Sequence, residues 1–189
     1  YSQDVFTVGP PICAVVRPRN IDEVQALVRA CLERGTPIVT RGGGMSYTSG
    51  YIASAPDSVL IDMASMDAIV EVNLEDRYVT VEAGCSWQKL HEHLAPLGVR
   101  TAYWGTLSGR YATVGGGLSQ NSIFWGSGQS GTAADNVLSV SVVTGKGDLL
   151  ETGSAAQQHA APFTRHFGPD LTGVFLGDCG ALGIKVRAT

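Results

Sequence analysis

Three consecutive glycines, Gly42, Gly43 and Gly44, follow a short apolar run and carry the clearest chemical signal in the chain. Glycine has no Cβ, so successive backbone N–H groups can converge on one anion. The phosphate loop of nucleoside triphosphatases ends in glycine, lysine and serine or threonine, and this sequence contains no such motif. The glycine run therefore predicts a site that binds a phosphate group without hydrolysing it.

Arg41 precedes the three glycines directly. Its guanidinium could pair with a phosphate bidentately, or it could form a salt bridge across the strand ends. The sequence leaves both interpretations open.

Other candidate motifs carry less weight. Residues 126–131 match the dinucleotide fingerprint Gly-x-Gly-x-x-Gly. That fingerprint needs a strand before it and a helix after it, but the sequence predicts a loop before these residues and a strand after them. His91 and His93 are two residues apart on a predicted helix and point to different sides, which makes a poor metal pair. No Gly-x-Ser-x-Gly elbow is present. The sequence therefore identifies neither a catalytic residue nor a metal ligand.

The elements that must position the first glycines are a strand, a helix and a second strand. Residues 14–16 predict a strand, and Asn20 with Glu23 has the spacing of a helix capping box. Apolar residues at helical spacing continue to Leu32, and Gly35 ends the helix before a strand at residues 37–40. This βαβ unit predicts parallel pairing with a crossover helix.

The rest of the chain predicts mainly antiparallel strands. After a strand at 59–62, alternating residues predict hairpins at 70–74 with 79–83 and at 138–142 with 149–151, a capped helix at 86–97, and a last strand at 184–186. The predicted fold class is α+β, with two α+β subdomains in the range 1–189. A small parallel βαβ lobe spans about 1–62, a mainly antiparallel lobe spans about 63–189, and the glycine loops lie between them.

Composition excludes several classes of protein. The 189 residues carry 13 Lys and Arg against 17 Asp and Glu, a net charge of −4, which disfavours a nucleic-acid surface. No apolar run approaches the roughly 18 residues of a membrane span. The four cysteines form no Cys-x-x-Cys pair, and we expect reduced thiols in a cytoplasmic protein. The chain opens at Tyr1, so we expect that an upstream segment could be missing.

Three glycine segments together resemble a family. Residues 41–47, 113–117 and 180–184 are similar to the FAD-binding domain of the vanillyl-alcohol oxidase and p-cresol methylhydroxylase superfamily. Supporting segments at 16–24, 81–90 and 142–147 lie between them in the same order, so the resemblance covers nearly the whole chain.

The resemblance implies an FAD held between the two subdomains, with its pyrophosphate on residues 40–46. Residues 107–113 and 120–123 would line the rest of the cofactor, and 179–184 would close over it. The implied cofactor-binding residues are Thr40, Arg41, Gly42, Gly43, Gly44, Met45, Ser46, Leu107, Ser108, Thr113, Gly115, Gly116, Gln120, Asn121, Ser122, Gly180, Leu182, Gly183 and Ile184.

The resemblance also implies how the cofactor is held. Some members attach FAD covalently through a histidine in the first loop, and a few add a cysteine just before the second. Met45 and Tyr111 occupy those places here, and neither can form that bond. We therefore expect non-covalent FAD.

Family members continue into a substrate-binding cap domain, which would lie elsewhere on the same polypeptide or on another chain. The implied function is hydride transfer from a small-molecule donor to FAD, with a 2-hydroxy acid such as glycolate or D-lactate suggested by residues 168–183. Alcohols or phenols are the alternative donors. A flavin- or nucleotide-binding module without catalysis and a structural protein without cofactor are the alternative functions.

Overall fold

Two β-sheets of different character organise the chain. The computed structural model describes residues 1–103, 105–166 and 168–189. One sheet has three parallel strands and the other has five antiparallel strands, so the fold is α+β as predicted.

The three-stranded sheet contains β1 (Ala14–Val16), β2 (Ile38–Arg41) and β3 (Val59–Asp62), and helix α1 (Ile21–Glu33) connects β1 to β2. The predicted pairing of β1 with β2 is wrong, because β3 lies between them and pairs in parallel with both. All four residues of β3 are buried, which suits a central strand of a covered parallel sheet.

Helix α1 begins as predicted. The Asn20 side chain accepts a hydrogen bond from the Glu23 amide at 2.8 Å, and the Glu23 carboxylate accepts one from the Arg19 amide. Gly35 follows the helix with φ +62°, a conformation that favours glycine.

The five-stranded sheet contains β4 (Ile69–Asn73), β5 (Tyr78–Glu82), β6 (Val140–Val143), β7 (Leu149–Glu151) and β8 (Ile184–Ala188). Its order is β4-β5-β8-β6-β7. Both predicted hairpins, β4–β5 and β6–β7, are confirmed. The last strand joins them by inserting between β5 and β6.

Helix α2 (Trp87–Leu94) is capped by the Ser86 hydroxyl and continues into a 3₁₀ turn, Ala95–Leu97, that ends at Gly98. Helix α3 (Val114–Ser119) lies in a glycine-rich region predicted as loop. Two single-turn helices, α4 (Ser127–Ser130) and α5 (Leu171–Val174), follow, with 3₁₀ turns at Met63–Ser65, Ala133–Asn136 and Gly153–Ala156. Among the described residues, no helix has the length and apolar character that crossing a membrane requires.

Helix α1 packs against both sheets. Val24 and Val28 of α1 share one buried cluster with residues of β3, β6 and β8 and of the turn after β3, namely Ile61, Met63, Met66, Val143, Ile184 and Val186. A second cluster surrounds α2 and α3 on the antiparallel sheet. Ile38 at the start of β2 packs against the shared cluster as well. One glycine segment lies directly after β2, and another directly precedes β8.

Candidate functional site

An open cleft lies where the three glycine segments meet. Its walls are residues 40–46 after β2, residues 106–122 including α3, and residues 179–185 entering β8. The segments that the sequence singled out therefore share one site.

Sixteen of the nineteen residues predicted from the sequence line this cleft. They are Thr40, Arg41, Gly42, Gly43, Gly44, Met45, Ser46, Ser108, Thr113, Gly115, Gly116, Gln120, Ser122, Gly180, Gly183 and Ile184. Their contact with a cofactor stays a prediction, but their convergence is a property of the fold.

Three predicted residues do not line the cleft. Leu107 is 80% exposed on the outer surface, and Leu182 faces a neighbouring shallow cavity beside α1. The Asn121 side chain turns toward the 3₁₀ turn Ala133–Asn136 and accepts a hydrogen bond from the Ala134 amide at 3.1 Å. Their contact with a cofactor also stays a prediction.

The cleft also contains residues that sequence reasoning missed. They are Gly50, Tyr51, Met63, Ala83, Thr106, Gly117, Ser119 and Lys185. Lys185 carried a usable signal, because it is the one charge between the apolar residues Ile184 and Val186 of a buried strand. The others come from unrelated parts of the chain and have no distinguishing pattern.

Close backbone contact between the first two walls explains two of the glycines. A Cβ at Gly42 would overlap the Thr113 hydroxyl, and a Cβ at Gly43 would overlap the Tyr111 carbonyl. Any side chain at these positions would push the walls apart. The first glycine run is thus a packing requirement as well as an anion-binding element.

The turn after β2 leaves backbone donors free. Among the described residues, the N–H groups of 43–46 have no hydrogen-bond acceptor. Gly44 has φ +67°, and the Tyr51 hydroxyl donates to its carbonyl at 2.9 Å. Burial raises the pKa of Tyr51, so the phenol stays protonated and can donate. Free amides in a fixed turn suit an anionic ligand.

Arg41 supplies a positive charge without a partner of opposite sign. Its guanidinium carbon lies 4.8 Å from the Tyr1 ring centroid and 5.1 Å from that of Tyr51. The nearby Asp62 carboxylate is bound by Arg17 at 2.9 Å, and Arg41 belongs to none of the ion pairs formed by the described residues. No aspartate or glutamate is among the described residues lining the cleft. The geometry therefore favours the anion-binding interpretation over the salt bridge.

Tertiary packing holds the second wall. Thr113 caps α3 by accepting from the Gly116 amide at 3.2 Å. A Cβ at Gly115 would lie 2.7 Å from the Ala83 Cβ, and one at Gly117 would lie 3.0 Å from Nε1 of Trp87. These glycines let a helix of poor intrinsic propensity pack tightly on its neighbours.

The third wall contains a buried ion pair. Lys185 Nζ lies 2.6 Å from Asp178 Oδ1. Burial lowers the pKa of Lys185, and the hydrogen bond that Lys185 donates to Asp178 opposes that effect. The loop is joined to α3 because the Cys179 amide donates to the Ser119 carbonyl at 2.8 Å.

The structure also shows the surroundings of Met45 and Tyr111, the two positions where some family members attach FAD covalently. Met45 packs partly buried against the second core cluster, and Tyr111 is 59% exposed beneath the Arg110 guanidinium. No histidine is found among the described lining residues, and Cys179 is the single thiol there. Its sulfur accepts from the Gln120 amide at 3.7 Å.

These features fit the dinucleotide cofactor that the sequence resemblance implies. Free amides, an unpaired guanidinium and the absence of carboxylates among the lining residues that the structure describes suit a diphosphate. The glycines leave room for it beside the backbone. Within the described residues, no cluster of three or more histidine, cysteine, aspartate or glutamate side chains could hold a metal ion.

Comparisons with known proteins agree with this geometry. A family model described as "FAD binding domain" matches residues 12–153, about three quarters of the chain. The mitochondrial D-lactate dehydrogenase [cytochrome] of Arabidopsis thaliana is 34% identical over 93% of this chain and 29% of its own length. The glycolate oxidase subunit GlcD of Bacillus subtilis is 30% identical over 93% of this chain and 36% of its own length.

A solved structure shares the fold. An alkyldihydroxyacetonephosphate synthase superimposes with a TM-score of 0.79 and 25% identity, covering 92% of this chain and 32% of that one. The chain thus spans about a third of the length of the proteins it matches.

Proposed function

Because the chain belongs to the FAD-binding domain family, we propose that it is the FAD-binding portion of a flavin-dependent oxidoreductase. The family match confirms the resemblance noted in the sequence, and FAD is the cofactor. The observation that carries the proposal is the convergence of all three glycine segments on one cleft, whose described lining residues include an unpaired arginine and no carboxylate.

In this proposal the first wall binds the diphosphate. The free N–H groups of residues 43–46 donate to phosphate oxygens, and Arg41 neutralises their charge. Tyr1 and Tyr51 hold the guanidinium in place by ring contacts. Gly116 lines the opposite wall and leaves space for the cofactor next to α3. Bound FAD supplies the redox chemistry by accepting a hydride equivalent from the donor.

We propose a small 2-hydroxy acid such as glycolate or D-lactate as the donor. Support comes from the names of two relatives, a D-lactate dehydrogenase and a glycolate oxidase subunit. Alcohols and phenols are the alternative class of donor.

Substrate contacts and the cap domain belong to this proposal as well. The chain spans 29% and 36% of those two relatives, so donor recognition can involve regions outside the match. FAD binding is therefore the property to test first, and donor oxidation the second.

The test is a titration of the protein with FAD, followed by visible absorption and flavin fluorescence. We expect saturable binding with a perturbed flavin spectrum, then bleaching by dithionite, then bleaching by D-lactate or glycolate when the cap is present. Binding without reduction by any donor, cap included, would favour a non-catalytic module. No flavin uptake would reject the proposal.

We also propose that FAD is held non-covalently. Acid precipitation of the loaded protein should leave the yellow colour in the supernatant, because Met45 and Tyr111 stand where a covalent link would use histidine and cysteine. Colour in the pellet would contradict this, and a Cys179→Ser variant would show whether the thiol in the cleft is responsible.

A further inference from the structure

The ion pair behind the third wall is unusually buried. The Lys185 and Asp178 side chains are only 3% and 2% exposed. In each of the other ion pairs formed by the described residues, at least one of the two side chains is 35% exposed or more. Replacing a buried pair with apolar groups often leaves stability unchanged, so such a pair calls for a reason other than stability.

Asp178 determines the shape of the loop that follows it. Its Oδ1 accepts from the Gly180 amide at 3.0 Å, and its Oδ2 accepts from the Leu182 amide at 3.2 Å. Cys179 and Gly180 have φ of 52° and 79°, in the left-handed region that a cysteine rarely adopts. The carboxylate therefore holds the loop in a conformation that its residues would not favour alone.

The same loop contacts both other walls of the cleft. The Gly177 amide donates to the Leu118 carbonyl at 2.9 Å, at the end of α3. A Cβ at Gly180 would lie 3.0 Å from the Thr40 hydroxyl of the first wall. A small change in the loop would alter the width of the cleft at its junction with both neighbours.

We propose that Asp178 and Lys185 are positioning residues for the cofactor cleft. Lys185 fixes the carboxylate, and the carboxylate in turn fixes the loop that presents Gly180, Gly183 and Ile184 to the ligand. This inference rests on the proposed FAD-binding function, and its test also contains a measurement that needs no cofactor.

The test compares Lys185→Met with the double variant Asp178→Asn/Lys185→Met. Methionine keeps the length of the lysine stem without its charge. In the single variant the Asp178 carboxylate is buried without a counter-charge, which destabilises the fold. The double variant removes both charges, so its thermal unfolding midpoint should return to the wild-type value. The ionic contact between residues 178 and 185, which fixes the loop, is still absent in this variant.

Each variant is assayed for thermal unfolding, for FAD affinity and, without FAD, for the alkylation rate of Cys179 by iodoacetamide. Lys89→Met is the matched control, because Lys89 forms a pair with Asp67 of similar length, 2.7 Å, at 44% and 48% exposure. It should leave all three quantities unchanged.

We expect the double variant to unfold at the wild-type temperature, bind FAD about tenfold more weakly, and alkylate faster at Cys179. A double variant with wild-type FAD affinity and wild-type alkylation would overturn the inference, since the pair would then only balance charge. If the wild-type protein binds no FAD, the proposed function fails, but faster alkylation in the double variant still supports the positioning role and an unchanged rate still rejects it.

Discussion

Two adjacent glycines of α3, Gly115 and Gly116, have different surroundings, so substitutions there distinguish an effect on packing from an effect on cofactor binding. A Cβ at Gly115 would lie 2.7 Å from the Ala83 Cβ and 2.9 Å from the Ala83 carbonyl oxygen, where ordinary contacts begin at 3.4 Å. A Cβ at Gly116 meets only the Thr113 hydroxyl, at 3.2 Å, and otherwise faces the cleft. Alanine at the two positions should therefore have different consequences.

The expected magnitudes follow from these distances. Gly115→Ala must move α3 away from β5 by about 0.7 Å, and overpacking of that kind costs about 1–3 kcal/mol. From the middle of that range, about 2 kcal/mol, alanine recovers up to about 1 kcal/mol of helix propensity, which leaves a net loss of about 1–2 kcal/mol. For a domain of this size the thermal midpoint should fall by about 2–8 °C.

Gly116→Ala gains the same propensity without a backbone clash, so its thermal midpoint should be unchanged or slightly higher. The methyl group occupies space that we assign to FAD. A steric cost of about 1–3 kcal/mol on binding corresponds to about 5- to 150-fold weaker affinity.

Thermal unfolding without FAD and fluorescence titration with FAD measure the two effects. Gly128→Ala is the control, because its Cβ would meet no atom within 4 Å. The reasoning about the helix is refuted if Gly115→Ala is as stable as wild type. The placement of FAD is refuted if Gly116→Ala binds it as tightly as wild type does.

Three further results are expected. Arg41→Met should weaken the binding of FAD and of ADP at least about tenfold in titration calorimetry, and Arg41→Lys should have an intermediate affinity. If Arg41→Met binds both ligands as tightly as wild type, Arg41 is not part of the site. FAD should slow iodoacetamide labelling of Cys179 and leave exposed Cys13 unaffected, as mass spectrometry can measure; equal slowing at both would indicate a global effect. Hydrogen bonds from Thr132 lower the pKa of Asp135 below its ordinary 3.8. The ionised carboxylate therefore stabilises the fold above pH 3.8, and this stabilisation is lost as the pH falls through the lowered pKa of the folded protein. Urea unfolding of Asp135→Asn should therefore depend less on pH between 5 and 3, and an undiminished slope would contradict this.

Local sequence signals predicted most of the regular structure. The capping pattern at Asn20 and the glycines at 35 and 98 mark helix ends that the structure confirms. Alternating residues predicted both hairpins, because each depends on neighbours a few residues apart. The same signals could not place β3 between β1 and β2, since strand order depends on contacts across the whole first lobe.

Helix α3 shows where local reasoning fails. Its sequence, with three glycines in six residues, has poor helix propensity and was predicted as loop. The helix forms because Thr113 caps it and because Gly115 and Gly117 pack directly on Ala83 and Trp87. Those partners lie about 30 residues away, so no local pattern could reveal them.

The sequence by itself determined the composition of the site: three glycine segments, an arginine beside the first, and methionine and tyrosine where a covalent link would need histidine or cysteine. It also determined the family, because those segments occur in a fixed order. Only the tertiary structure decided that Arg41 has no carboxylate partner among the described residues. It also decided that Leu107, Asn121 and Leu182 do not line the cleft, and that Asp178 and Lys185 hold its third wall. Residue types and local spacing are properties of neighbouring positions, whereas burial and charge pairing depend on which distant segments the fold brings together.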